Sequence, residues 1–440
     1  MQQQAFNILF QKLLFCGAAL LLKWMLDEFY ILFSHDFAYY GIVFNPVSHG
    51  QYLFSFAAVG LVALSLKFNH LQPSSVIWLL LFIFCFIPAA TVFSMNAQHS
   101  AAGFYGLFAL FLTVSLLLRI NLFPKNTFSS YLKMDEFRFW LGFVFALLLL
   151  FTVSYYGLTL RWVNFSEVYE VRSEYMEQGN RIVGYFYGWL SHVLNIALLL
   201  IAINKRNYWL AAFALGIQVY LYTLGAHKSV LLIIPFVFWI YAGVKFFTKH
   251  LSFYFMGMLV VLCGLMLLND LNAGHYSDVS SVAVRRNLLL PAQIYFHYVE
   301  YFSNYYFDYF AQNFPFGLFY ESNYNDKLPA LIGKQYFTFK ADVYANGNIF
   351  ADMFANLGWL AYSLGAVIIT LLLKALDKFS EDKNPLFVIP LAAVSVVSLS
   401  NSGLIVNLIT HGLLVMLILA AFYPKTIFTL KYFNKKKEIA

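Results

Sequence analysis

Twelve apolar stretches divide the chain, and basic residues fill the gaps between them in regular alternation, one gap rich in Lys and Arg and the next poor in them. That pattern leaves few folds open. A helix needs roughly 20 apolar residues to cross a hydrocarbon core of about 30 Å, and only helices or closed barrels leave no backbone amide unpaired in lipid. The stretches predict spans over 6–33, 51–69, 74–94, 101–120, 137–158, 181–203, 208–224, 228–247, 251–270, 348–375, 386–401 and 403–423. With 61% hydrophobic and 11% charged residues and a mean hydropathy of +0.69, the composition agrees with a membrane protein and not with a soluble domain. The expectation is an all-α integral membrane protein of about 12 transmembrane helices, a single polytopic domain over 1–440.

Charge sets the orientation. Lys12, Lys67, Arg119, Lys125, Lys133, Arg138, Lys205, Arg206, Lys245, Lys249, Lys374, Lys378, Lys383 and the tail lysines fall in alternate gaps, which the positive-inside rule assigns to the cytoplasm together with both termini. The turns 34–50, 95–100 and 400–402 hold no Lys or Arg and face outward. A net charge of +7 is then a basic cytoplasmic skirt and calls for no nucleic-acid partner. Cys16, Cys85 and Cys263 all sit inside spans, as small apolar residues and not a disulfide framework. The first apolar segment is too long for a secretory signal and reads as a retained anchor.

Two outward segments exceed turn length: 159–180 and, much larger, 271–347. Loops that long in a compact domain carry structure and function. The larger opens with Arg285 and Arg286 and continues as an array of Tyr and Phe that includes Tyr298, Tyr301 and Tyr305. Such rings suit a membrane interface and also stacking on sugars. Residues 285–313 are expected as short interfacial helices along the outer surface, interrupted at Pro291.

Basic residues on the outer side oppose the topology bias: Arg161, Arg172, Arg181, Lys228, Arg285, Arg286, Lys327, Lys334 and Lys340. Pairing with Glu167, Glu170, Glu174 and Glu177 accounts for single arginines; the set Arg172, Arg285, Arg286 and Lys228 converging on one face suits a phosphate or pyrophosphate. Asn348, Asp352 and Asn356 recur every four residues and line one face of the tenth span. Lys23 with Asp27 reads as a local ion pair, and His192 with Asn195 and Asn407 with His411 as hydrogen-bonding positions between helices. No Asp-x-Asp pair lies on a loop, no glycine-rich phosphate loop precedes a lysine, and the ten histidines form no metal-ligand spacing. No cofactor or metal is implied.

The segments Tyr169-Glu-Val-Arg172-Ser-Glu-Tyr, Gly184-Tyr-Phe-Tyr-Gly-Trp189 with Asn195, and Gly225-Ala-His-Lys228-Ser229 resemble the central part of the Wzy-type O-antigen polymerases, or oligosaccharide repeat unit polymerases. Arg285-Arg286-Asn-Leu-Leu-Leu-Pro291 leading to Tyr298 and Tyr301, Ala345-Asn-Gly-Asn348-Ile-Phe-Ala-Asp352 with Gly358, Thr410-His411-Gly412 and the opening Lys23 to Tyr30 region fit the same family. The Arg-x10-Gly pattern of some members is absent, position 183 being Val. The resemblance implies a GT-C-like membrane glycosyltransferase in the bacterial inner membrane with its active site facing the periplasm. Its donor would be a glycan on undecaprenyl pyrophosphate and its acceptor a single lipid-linked repeat unit, with a chain-length regulator and a flippase as further partners. Arg172, Arg285 and Arg286 would stabilise the departing pyrophosphate, and Lys228, Arg181 and Asn348 would bind substrate. Asp352, His297 and Glu300 are the candidates for the base, and Tyr298, Tyr301 and Tyr305 for the glycan platform. An O-antigen ligase and a flippase of lipid-linked glycan remain the alternatives.

Overall fold

The computed structural model describes residues 2–67, 71–122, 132–158, 179–337 and 343–425. Among these the chain is helical, with a single isolated bridge between Asn45 and Asn96 in place of any strand. The helices are α1 (Gln2–Ser34), α2 (His49–Ser65), α3 (Pro73–Met95, with a π-helical turn at Phe82–Phe86), α4 (Ala101–Leu117) and α5 (Met134–Tyr156). Helix α6 starts as Arg181–Trp189 and runs through a π turn at Leu190–Leu194 into Asn195–Asn204. Then come α7 (Tyr208–Gly225), α8 (Lys228–Phe246), α9 (Leu251–Ala273) and α10 (Leu290–Asn304), the last entered through a π turn at Ser281–Leu289. The chain closes with α11 (Leu328–Tyr336), α12 (Ile349–Leu357), α13 (Leu364–Phe379), α14 (Pro385–Leu399), α15 (Leu404–Ile409) and α16 (Leu413–Phe422).

Seven of the helices are long and apolar enough to cross a membrane, so the chain is a multi-pass membrane protein. Five shorter apolar helices, at His49–Ser65, Ala101–Leu117, Ile349–Ala361, Pro385–Leu399 and Leu413–Phe422, fall within or overlap the remaining predicted spans. Helix α3 is buried along almost its whole length and forms the centre of the bundle, whereas α5 turns Phe139, Trp140, Phe143 and Leu150 outward. A helix apolar all round belongs at the centre of a membrane bundle, and a helix with bulky apolar residues on its exposed face belongs against lipid. Cys85 and Cys263 are buried, Cys16 half-buried, and all three are free.

The basic residues gather where helices end. Lys12 donates to the Leu64 carbonyl (3.1 Å) and Arg119 to Ser65 (2.8 Å) at the end of α2; Lys374 donates to Leu118 (2.6 Å) past α4, and Lys383 to Ala421 (2.7 Å) in α16. The last carbonyls of a helix have no amide partner and carry partial negative charge, so a cation there satisfies hydrogen bonding and the helix dipole together. Asp377 reciprocates at the start of α3, accepting from the Ser74 amide (2.9 Å) and hydroxyl (2.5 Å).

Three expectations change. The predicted span 348–375 is broken: α12 stops at Gly358, whose φ of +58° favours glycine and whose open side is filled by the Phe307 ring. The span 403–423 is likewise two helices, separated at Gly412, with φ +77°. Most consequential is 285–313, predicted as interfacial helices broken at Pro291. Helix α10 instead continues from the π turn and buries Gln293, Tyr295, Phe296, His297, Tyr298 and Val299 in the bundle. Proline is tolerated there because it stands in the first turn after the π segment, where the wider i→i+5 geometry spares the carbonyl clash of an α-helix interior.

Candidate functional site

Ser277 opens the segment that carries the candidate arginines: its hydroxyl accepts from the Ser280 amide (3.2 Å), and the next nine residues wind as a π helix. Arg285 on that turn is half-buried. Its Nε donates to Ser281 Oγ (3.0 Å), and its guanidinium carbon lies 3.8 Å from the centre of the Phe37 ring and 5.5 Å from that of Tyr40. Tyr276 packs on Phe37 (5.3 Å) and Tyr39 on Tyr40 (4.6 Å), so the cation sits in a cradle of rings. Burial pulls its pKa down, while Tyr40 and Tyr39 act the other way. Among the described residues no carboxylate pairs with Arg285, which leaves its terminal nitrogens for a ligand. Arg286 beside it is exposed.

Farther along, α10 builds a polar column through the core. The Asn96 side-chain oxygen accepts from the Gln98 amide (3.1 Å), which turns its NH2 toward His99 Nε2 (3.4 Å). His99 Nε2 also lies 2.8 Å from Gln293 Nε2. Gln293 Nε2 is also 3.2 Å from His297 Nε2, while Gln293 Oε1 accepts from the Tyr30 hydroxyl at 3.4 Å. Both histidines are neutral, burial lowering the pKa of His99 to about 4 and of His297 to about 3. His99 stacks on Phe296 (4.9 Å) and His297 on Tyr336 (4.1 Å). Gly41, with φ +78°, lets the chain pass against His297, since a Cβ there would lie 2.6 Å from Nε2.

Tyr298, expected to stack on glycan, is buried; its hydroxyl donates to the Ala345 carbonyl (3.1 Å) and its ring lies against Gly347. Tyr301 and Tyr305 do form a surface: their rings stack at 4.5 Å, Tyr324 stands 6.4 Å from Tyr301, and Tyr305 is exposed. Glu300 shares that face, exposed, with partial burial raising its carboxyl above the usual range.

Asn348 is the N-cap of α12, accepting from the Phe350 (3.1 Å) and Ala351 (3.0 Å) amides. Four residues on, Asp352 accepts from the Leu404 amide at 3.1 Å and fits against Gly403, where any Cβ would strike the carboxylate. Asn356 donates to the Asp352 carbonyl (2.7 Å) and accepts from the Phe310 amide (2.6 Å). Asn348 thereby caps α12, while Asp352 and Asn356 hold it against α15 and the 308–310 turn.

A further cluster joins α6, α8 and the 410–412 break. Gly188 packs under the Thr410 carbonyl, 2.1 Å from where a Cβ would stand, and Trp189 Nε1 donates to Ile409 at 2.6 Å. His192 on the π turn faces His411 with ring centres 5.1 Å apart, and Tyr187 faces His227 at 6.2 Å, beside Lys228 at the start of α8. Gln218 ties the group together, donating to Ser191 (2.9 Å) and Val230 (2.8 Å) and accepting from Asn195 (2.7 Å). Asn195 thus makes the expected bond between helices, and Lys23 pairs with Asp27 at 2.5 Å. Asn407 donates to Ser402 and Gly403 and also reaches the Ser398 carbonyl of α14 at 3.4 Å, likewise a contact between helices.

Arg285 and Lys228 accordingly belong to different clusters. Arg172, Arg161 and Lys340 lie outside the described residues, as do Glu167, Glu170, Glu174 and Glu177; Arg181 begins α6. Gln293, His99 and Gln218 escape the sequence reading, although the spacings 293/297 and 96/99 are those of helical neighbours. Comparison of the chain with protein-family models, with curated proteins and with solved structures finds no match in any of the three.

Proposed function

We propose that this protein polymerises lipid-linked oligosaccharide repeat units by glycosyl transfer at a membrane surface. One observation carries the reading: blocks far apart in sequence that resemble the polymerase family meet in space. Gly184 to Asn195 packs on Thr410 to Gly412 and neighbours Gly225 to Lys228, while Tyr298 meets Ala345 and Gly347, and Asp352 of the same block meets Leu404. In this reading the seven long and five shorter apolar helices make twelve crossings of the bacterial inner membrane in a GT-C-like arrangement, with the termini cytoplasmic and 271–347 periplasmic. A hydroxyl of the acceptor repeat attacks the anomeric carbon of the donor glycan. The bond from that carbon to pyrophosphate breaks, its electron pair leaving with the polyprenyl pyrophosphate. Arg285 and Arg286 receive that charge; an aromatic-cradled guanidinium that has no carboxylate partner among the described residues is suited to it, because its two-pronged donors match phosphate oxygens.

The test is surface polysaccharide from a strain lacking the gene, complemented with wild type or with Arg285→Ala, Arg286→Ala. A ladder that collapses to single capped repeats and returns only with wild type supports the proposal. Polymer retained on undecaprenyl would indicate a ligase, repeats trapped on the cytoplasmic leaflet a flippase, and an unchanged ladder in the deletion would refute the reading.

A further inference from the structure

Glycosyl transfer of this kind releases one proton, from the attacking hydroxyl, and the sequence offers Asp352, His297 and Glu300 to take it. The structure separates them. His297 is buried, its Nε2 against the Gln293 side chain and its ring stacked under Tyr336, so a sugar hydroxyl at the surface does not reach it. Asp352 has one oxygen on the Leu404 amide and the other 3.4 Å from Asn356 Nδ2, with Gly403 closed over the carboxylate. Glu300 differs on each count. It is exposed, makes no ion pair among the described residues, and stands on α10 one residue before Tyr301, whose ring stacks on Tyr305. Tyr336, which covers His297, is close enough to Glu300, Tyr301 and Tyr305 to feel all three. The result is an open carboxylate at the edge of a tyrosine surface.

We infer that Glu300 is the general base of the transfer and that Tyr301, Tyr305 and Tyr336 form the platform on which the acceptor sugar lies, an assignment that rests on the polymerase reading. As the acceptor oxygen bonds to the anomeric carbon, its proton passes to the Glu300 carboxylate. The carbon–pyrophosphate bond breaks with its electrons going to the leaving group. His297 and Gln293 act one layer below, fixing the Tyr336 ring.

The experiment uses the full chain in lipid nanodiscs with a polyprenyl-pyrophosphate-linked repeat unit, comparing wild type, Glu300→Gln and Glu300→Asp. A positioned general base contributes roughly 10²–10⁴-fold, so Glu300→Gln should lose about that much in kcat with little change in KM and an unaltered melting temperature. Wild-type kcat should fall as pH drops through the carboxyl pKa, this fall should vanish in Glu300→Gln, and Glu300→Asp should restore part of the rate. A Glu300→Gln enzyme within about tenfold of wild type, or one that keeps the acid limb, overturns the assignment. Wild type that makes no polymer from the repeat overturns the polymerase reading beneath it, an outcome distinguishable because it needs no variant.

Discussion

The buried pair Lys23 and Asp27 offers a sharp test of how this bundle is held. Lys23 is fully buried and Asp27 nearly so; Nζ lies 2.5 Å from Asp27 Oδ2 and 2.8 Å from Ser94 Oγ, and over the rings of Phe56 at 4.1 Å and Tyr52 at 4.8 Å. One ammonium therefore ties α1 to α2 and α3. Removing either partner leaves a charge in an apolar core, which costs about 3–5 kcal/mol, whereas replacing both with apolar residues of similar volume is commonly neutral or stabilising. Lys23→Met and Asp27→Leu should each be severely destabilised, and the double variant should return close to wild type, a coupling of at least about 3 kcal/mol. A membrane protein of this size is best followed by its rate of irreversible loss on heating in detergent, read by gel filtration. If the whole cost appears in the unfolding barrier, about 3 kcal/mol shortens the half-life roughly a hundredfold. A double variant as unstable as the singles would show that the side chains serve as packing volume and not as a charge pair.

Two further substitutions probe contacts that bring the site blocks together. Asp352→Asn keeps an acceptor for the Leu404 amide and should cost under about 1 kcal/mol, whereas Asp352→Ala orphans that amide and should cost about 1–3 kcal/mol in the same heating assay; equal costs would mean that the carboxylate does not hold α15. Gly188→Ala puts a methyl 2.1 Å from the Thr410 carbonyl and should cost about 1–3 kcal/mol by forcing α6 from the 410–412 break, along with loss of polymer; wild-type thermal stability would refute that close approach.

Much of the frame is legible in the residues because membrane insertion is a local matter, decided segment by segment by apolar length and flanking charge. The predicted boundaries of α3, α7 and α8 agree with the structure to within one or two residues, and the i,i+4 spacing of Lys23 and Asp27 announces their pairing. The π turns at 82–86, 190–194 and 281–289 are not legible, since widening a turn by one residue leaves no mark in apolar periodicity. They matter, because two of the three carry His192 and Arg285.

By itself, then, the sequence determined that the chain spans a membrane repeatedly, roughly where each helix runs, and which polar residues are too costly to bury idle. Only tertiary structure decided their use. Tyr298 and Tyr301 are indistinguishable as members of one aromatic run, yet helical rotation buries the first on Ala345 and leaves the second stacked with Tyr305. Asp352 and Glu300 are both acids near an apolar segment, but a helix end 52 residues away in sequence engages one, and among the described residues nothing comparable reaches the other. Burial on a helix is set by which neighbour packs against which face, and those neighbours come from distant parts of the chain that local pattern does not specify.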